Sequence, residues 1–215
     1  MAQNPLQIKQ SELLSPEFHS LPLSFYNEIH KKMGNFTDSR NEATRDEIWF
    51  VQHHPVFTLG RNESRKNILV DSDIPVIQSD RGGDVTYHGP GQLVLYCLID
   101  LQRLRLGVRQ LVAGLEEIFI QYLANFNVTG RRIEKAPGVY IDNKKIASLG
   151  LRVRKGCSFH GMAINVDMDL TPFTYIHPCG LEGMRTTQLA DLGIQRSCDQ
   201  VASDMSELIV QQFYR

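Results

Sequence analysis

Gly138-Val139-Tyr140-Ile141-Asp142-Asn143-Lys144-Lys145-Ile146-Ala147-Ser148-Leu149-Gly150-Leu151-Arg152-Val153 is the stretch whose reading decides the fold. Strand-forming residues run up to Asp142-Asn143-Lys144, a turn signal, and an apolar pattern resumes beyond it. A second turn at Arg154-Lys155-Gly156 leads into Cys157 to Val166. The pattern predicts an antiparallel meander. Side chains of a strand alternate faces, so Lys145 is expected to share a face with Ala147, Leu149, Leu151 and Val153, with Lys144 opposite. A lysine on an apolar face loses hydration, which favours the neutral amine and suits a general base or proton shuttle. The plainer alternative is a strand-end lysine whose stem packs while its head reaches water. His160 and Asn165 interrupt the following strand and are expected on opposite faces.

Upstream, Leu93 to Ile99 is a nearly continuous apolar strand, the pattern of a sheet interior. It follows Arg81-Gly82-Gly83-Asp84-Val85-Thr86-Tyr87-His88-Gly89-Pro90-Gly91-Gln92, whose glycines imply close backbone approach to something. Neither phosphate-loop glycine spacing is present and no lysine is near, so a glycine-rich hairpin is the alternative. Arg81, Tyr87 and His88 argue for more, because they add polar and aromatic groups to open backbone. Ile74 to Gln78 reads as a strand, and Glu47 to Leu59 as a strand pair broken at Pro55. His53 and His54, adjacent on extended chain, point apart, so they read as solvated or hydrogen-bonded rather than as ligands of one ion.

Leu23, Tyr26, Ile29 and Met33 predict a helix over 22–33, followed by a loop over 34–46. Residues 108–126 carry a wide apolar stripe and predict a helix that packs on the sheet without a catalytic role, Gly114 being a tolerated interruption. A short turn after Pro172, a short helix over 186–192 ended by Gly193, and a final amphipathic helix around Val201 to Phe213 complete the pattern. The prediction is one α/β domain over residues 1–215, a mixed and largely antiparallel sheet flanked by helices. Residues 1–20 form an N-terminal arm with room for one edge strand, and residues from about 181 to 215 a small C-terminal helical part.

The 215 residues are 42% hydrophobic and 22% charged, enough for a sizeable core and ordinary for a soluble protein. A formal net charge of −1 gives no polyelectrolyte character that would point to nucleic acid. The start of the chain lacks a signal-peptide pattern and the apolar runs are too short to span a membrane. Cys97, Cys157, Cys179 and Cys198 are widely separated and form no Cys-x-x-Cys pair, so neither a zinc site nor a redox motif is indicated; a cytoplasmic protein with free thiols is the simplest reading. Only Cys179 stands between a proline and a glycine, in Tyr175-Ile176-His177-Pro178-Cys179-Gly180-Leu181-Glu182-Gly183. A thiol on such a tight turn has the exposure a nucleophile needs; a buried structural cysteine is the alternative.

Four of these stretches together resemble the lipoyl(octanoyl) transferases: Arg81 to Gln92, Lys145 to Gly150, Phe159-His160-Gly161-Met162-Ala163-Ile164-Asn165, and Pro178-Cys179-Gly180, with Thr58-Leu59-Gly60-Arg61 in support. Their order and spacing fit from about residue 20 to 195. Asp84 and Cys97 stand where the family varies. The resemblance implies a fold shared with lipoate and biotin protein ligases. It implies transfer of an octanoyl group from octanoyl-acyl carrier protein to a specific lysine on lipoyl domains of 2-oxoacid dehydrogenases and on the glycine cleavage H protein, by a monomer without metal or other cofactor. It matches Cys179 to the acyl-thioester cysteine and Lys145 to its partner. It assigns substrate binding to Arg81, Gly82, Gly83, Asp84, Val85, Thr86, Tyr87 and His88, to Ser148, Leu149 and Gly150, and to Gly161, Met162 and Ala163. Glycines 82, 83, 150 and 161 then leave a slot where an acyl chain lies against bare backbone. Arginine clusters at 103, 105 and 109, at 131 and 132, and at 152 and 154 with Lys155 are expected to steer acidic protein partners. An ATP-dependent lipoate ligase, a cysteine hydrolase and a non-catalytic binder of the same partners are the rival readings.

Overall fold

The computed structural model describes residues 14–61, 63–177 and 184–215, so the Pro178 to Gly183 turn with Cys179 lies outside the described residues. The strands are β1 (Glu17–Ser20), β2 (Glu47–Val51), β3 (Val56–Leu59), β4 (Val76–Gln78), β5 (Thr86–His88), β6 (Gln92–Leu98), β7 (Arg131–Ile133), β8 (Ala136–Ile141), β9 (Lys144–Arg154), β10 (Cys157–Asn165) and β11 (Arg185–Thr186). The helices are α1 (Tyr26–Ser39), α2 (Val108–Ala124) and α3 (Cys198–Phe213). The large sheet has the order β1-β2-β6-β10-β9-β8-β7, with β11 joined to β9; the small sheet has the order β4-β3-β5. Pairing is antiparallel except for β1 with β2, β11 with β9 and β3 with β4. The predicted mixed, largely antiparallel sheet flanked by helices is the observed architecture.

The meander is β8, β9 and β10. All seven residues of β6 are buried, and they alternate between two cores. Leu93, Leu95 and Cys97 pack with α2 and α3; Val94, Tyr96 and Leu98 pack with Ile29 and Met33 of α1. A third core joins the small sheet to the turn at Thr171–Tyr175 through Phe57, Tyr87 and Phe173.

Several elements depart from the predicted bounds. α1 runs through Ser39 because Thr37 continues the buried stripe of Tyr26, Ile29 and Met33, so tertiary packing overrides the weak helix formers Gly34 and Asn35. β2 and β3 are not paired with each other; they belong to different sheets. Arg185–Thr186 is a strand on β9, and only Ala190–Leu192 makes a short 3-10 turn, ended by Gly193. Gly114 is more than an interruption: a Cβ there would lie 2.6 Å from the Phe213 ring, so its bareness lets the end of α3 cross α2 closely. α3 is built into the principal core through Val201, Met205 and Ile209 rather than set apart. β7 carries no sequence pattern of its own.

Asp46 ties the ends of several elements together. Its side chain, 1% exposed, accepts from Arg40 Nη2 at 2.6 Å, from the Asp100 N–H at 2.8 Å and from the Tyr214 hydroxyl at 2.8 Å. Asp46→Ala leaves the Arg40 guanidinium, 5% exposed, buried without its carboxylate. Urea denaturation is expected to show a loss of about 3–5 kcal/mol for Asp46→Ala, and a smaller loss of about 1 kcal/mol for Tyr214→Phe.

Candidate active site

A cavity lies where the Arg81 to His88 segment of the small sheet crosses the α1 side of the large sheet. Of the residues singled out from the sequence, it brings together Arg81, Gly83, Asp84, Val85, Thr86, His88, Lys145, Ser148, Leu149, Gly150, Gly161, Met162 and Ala163. Two are placed elsewhere. Gly82 lines a separate groove on the outer side of the loop. Tyr87 turns away into the small core, its ring centroid 5.6 Å from those of Phe57 and Phe173.

Lys145 is 2% exposed, whereas Lys144 is exposed. The predicted face for Lys145 is wrong, and the cause is a bulge. Val139 pairs with Ala147 but Tyr140 pairs with Lys145, so the ladder skips Ile146. One extra residue reverses the alternation. Ile146 and Ala147 both enter the helix-side core, and Lys145 joins Ser148 and Gly150 at the cavity. Its Nζ lies 5.4 Å from the Tyr140 ring centroid. Gly138, at φ +146°, makes the space: a Cβ there would lie 2.6 Å from Lys145 Cε and 2.5 Å from Ala147 O. The buried Glu116 of α2 holds that glycine by accepting its N–H at 2.8 Å.

The glycines of the site serve the protein's own backbone. A Cβ on Gly161 would lie 2.0 Å from Leu95 O, and one on Gly150 would lie 2.8 Å from Gly82 O. Both allow one strand or loop to close on another, which is a different reason from the predicted bare slot for a ligand.

The polar groups are tethered. Arg81 donates through Nη2 to Thr58 O at 2.6 Å, through Nε to Thr58 Oγ1 at 3.1 Å and through Nη1 to Gly82 O at 3.0 Å. His88 Nδ1 bonds Gln92 Oε1 at 2.7 Å, Gln92 Nε2 donates to Asn165 Oδ1 at 2.9 Å, and Asn165 Nδ2 donates to Thr187 O at 2.9 Å. The Thr187 N–H in turn donates to Lys145 O at 2.9 Å. A continuous chain of hydrogen bonds thus runs from the cavity wall to the lysine's own peptide. His53 is buried and bonds Tyr96 OH at 2.7 Å and Ser24 O at 3.1 Å, and His54 stacks on Phe25 at 4.3 Å, so neither chelates with the other.

Tyr26, Val94, Tyr96 and His160 also line the cavity and were not singled out as ligand contacts. The first three lie in regular elements, where aromatic and apolar residues look like core. His160 has a left-handed φ of +67°, which strand periodicity cannot foresee. That φ sets its ring beside Phe159, Tyr96 and His30 rather than opposite them, so the expected separation of His160 and Asn165 onto two faces fails. Asp80 is the second omission: its Oδ1 bonds His160 Nε2 at 2.6 Å and His30 Nε2 at 2.9 Å, and its Oδ2 bonds Arg152. An acidic residue directly ahead of Arg81, which opens the glycine-rich stretch, was the available signal.

Among the described residues, the ligand atoms of His30, Asp80 and His160 lie close enough to hold a metal ion, as do those of Glu17, His19 and Glu47 at the surface. In the first group Asp80 Oδ1 is already bonded to the Nε2 atoms of both histidines.

Burial dominates the titration of this region. It pushes His88 down to about 3, and His53 and His160 down to about 4, the last against the opposing pull of Asp80. Burial also works to raise Asp80, but the hydrogen bonds from His160 and His30 outweigh it and hold the carboxyl below the usual range. Cys97 is pushed up to about 12 and Cys198 to about 11 by burial, and burial raises Cys157 too. These three buried thiols are poor nucleophiles.

The arginine clusters are largely occupied by the chain's own acids. Arg103 reaches Asp46 and Asp100, Arg132 reaches Glu116 and Glu117, Arg152 reaches Asp80, and Arg154 and Lys155 reach Asp38.

Two outcomes test this geometry. The three depressed histidines take up protons on unfolding between their ordinary 6.5 and about 4. Stability is therefore level above pH 6.5 and falls as pH drops below it, by about 1.4 kcal/mol per pH unit for each proton taken up. Urea midpoints at pH 7.5, 6 and 5 should fall in that order. Gly138→Ala should displace the Lys145 side chain and destabilise the fold by about 1–3 kcal/mol, visible as a lowered urea midpoint.

A model of the lipoyl protein ligase A/B catalytic domain matches residues 30–210. The octanoyltransferase of Haemophilus influenzae (strain PittEE) is 53% identical over 188 residues, 86% of this chain and 89% of that protein. The octanoyltransferase of Aliivibrio fischeri is 56% identical over 167 residues, 78% of this chain and 74% of that protein. Among solved structures, lipoate-protein ligase A bound with ATP superposes with a TM-score of 0.74 at 16% identity, covering 93% of this chain and 85% of that one. Biotin protein ligase from Aquifex aeolicus superposes with a TM-score of 0.55 at 12% identity, covering 93% and 69%. At these identities the solved structures speak for the fold. No described helix is long and apolar enough to cross a membrane.

Proposed function

Because the chain belongs to the lipoyl protein ligase A/B catalytic-domain family, we propose that it is an octanoyltransferase, moving an octanoyl group from acyl carrier protein to a lysine of lipoyl domains through a thioester on Cys179. The observation that carries this reading is a buried lysine that lines a largely apolar cavity, with the described residues that precede and follow the Cys179 segment each bonded to the fold. On one side the His177 N–H donates to Asn67 O at 2.9 Å. On the other, Arg185–Thr186 pairs with Lys144–Lys145. The remaining cysteines are withdrawn from chemistry by burial.

In the first half-reaction the Cys179 thiol gives its proton to the Lys145 amine, and its sulfur attacks the thioester carbonyl of the donor. The carbon–sulfur bond to the carrier breaks, and the departing thiolate takes the proton back from Lys145. In the second half the target lysine amine attacks the Cys179 thioester. An amide forms, the Cys179 sulfur leaves, and Lys145 relays the amine's proton to it. Thioester exchange is near neutral in energy and amide formation is downhill, so no ATP enters. This separates the reading from that of an ATP-dependent ligase on the same fold, for which Pro178-Cys179-Gly180 would have no role.

Intact mass after incubation with octanoyl carrier protein, without ATP, is expected to rise by one octanoyl group. The adduct should be absent in Cys179→Ala and present in Cys198→Ala; an adduct that survives Cys179→Ala overturns the assignment. Lys145→Ala should lower transfer by about 10²–10⁴-fold, the ordinary worth of a general base. Lys145→Arg should not restore it, because a guanidinium cannot take up a proton at neutral pH. Lys144→Ala, on exposed surface, should leave turnover unchanged.

A further inference from the structure

We propose that the His160 imidazole, pinned by Asp80, is the stop that limits acyl-chain length at the far end of the cavity. The inference rests on reading the cavity as the acyl site.

The cavity has two ends that the strand register identifies. Gly138 pairs with Ser148, and a Cβ on Gly138 would lie 3.4 Å from Lys145 Nζ, so the amine stands level with Ser148. His160 pairs with Leu151, three residues further along β9. Three strand residues advance about 10 Å. An extended eight-carbon acyl chain, with C–C bonds of about 1.5 Å at tetrahedral angles, spans about 9 Å. A chain whose carbonyl lies beside the amine therefore ends at the level of His160.

At that level a shared wall stands between the cavity and a neighbouring groove. His160 lines the cavity, while Asp80, Gly82, Leu151 and Arg152 line the groove beyond it, and the two spaces share Arg81, Gly83 and Asp84. The backbone part of that wall is the Gly82 N–H donated to Leu151 O at 3.1 Å. The side-chain part is the His160 ring, held across the gap by Nε2 on Asp80 at 2.6 Å and stacked on His30 at 5.5 Å. Two features mark it as built for this place. A φ of +67° is uncommon for a residue with a Cβ, and here the surroundings of His160 hold it. The buried Nδ1 has no hydrogen-bond partner, so an alkyl chain pushed further gains no exchange of polar contacts there. Longer chains must displace the ring and break its bond to Asp80.

The test is a series of hexanoyl to dodecanoyl carrier proteins as donors, with kcat/KM measured for the wild type, His160→Gly and Asp80→Asn. Glycine suits the left-handed φ, so His160→Gly removes the ring without backbone strain. The decanoyl-to-octanoyl ratio is expected to rise at least about tenfold in His160→Gly, within the range that methylene-scale pocket changes produce. A smaller rise is expected in Asp80→Asn, which keeps the ring but holds it through a weaker, neutral acceptor. Octanoyl transfer that persists with an unchanged ratio overturns the stop. Should His160→Gly fail to fold, His160→Asn decides in the same way, since asparagine also tolerates this φ. Calorimetric binding of octanoate and decanoate to Cys179→Ser reads the stop without turnover. A ratio that shifts there while the wild type transfers no octanoyl group would sink the transfer reading and leave the stop standing; a ratio that does not shift sinks the stop.

Discussion

A lysine held at 2% exposure against a glycine that has no room for a methyl group is the constraint on which the rest of this molecule depends. Burying a lysine head among apolar walls is costly unless polar groups receive it. The surroundings of this lysine are set by several devices at once. Glu116 draws Gly138 inward, the bulge at Ile146 turns Lys145 out of the helix-side core, and β11 lies parallel to the strand that carries it. None of these devices is itself reactive. Together they define where a proton can be given and taken back.

Elsewhere in the cavity wall the histidines are neutral and the arginine is tethered. His88 and His160, with His53 bonded to the lining Tyr96, stay uncharged far below their ordinary range, and each has at least one ring nitrogen committed to a protein partner. Arg81 spends three donors on Thr58 and Gly82. A wall built this way offers an alkyl chain flat aromatic and backbone surface with little charge to repel it.

The sheet was legible because it obeys local rules. Period-two alternation, Asp142-Asn143 and Lys155-Gly156 mark the meander, and the apolar run of β6 marks the sheet centre. The site was half legible. Residue types clustered in Arg81 to His88, Ser148 to Gly150 and Gly161 to Ala163 converge on one cavity, because motifs on neighbouring strands meet when the strands pair in register. What could not be read is what arises between elements. The bulge that reverses Lys145 depends on the partner strand, and the left-handed His160 on the Asp80 and His30 it packs against. Thr37 is helical only because the sheet waits beneath it. Gly138 looks like an ordinary strand residue until the lysine across from it is known.

The register of the large sheet carries a kinetic consequence. Ile48 pairs with Cys97, and Tyr96 with Gly161, so neighbouring strands of the sheet come from segments far apart along the chain. Sheets dominated by such distant pairings fold slowly, on the order of milliseconds to seconds. Until both neighbours have docked, Gln92–Leu98 stands as an unprotected apolar ribbon, with strand-forming side chains and no charge. In that interval it is the stretch of this chain with the greatest capacity to template pairing with a second molecule. The same continuity that makes β6 the floor of the finished cavity makes it the point at which assembly is most exposed to error.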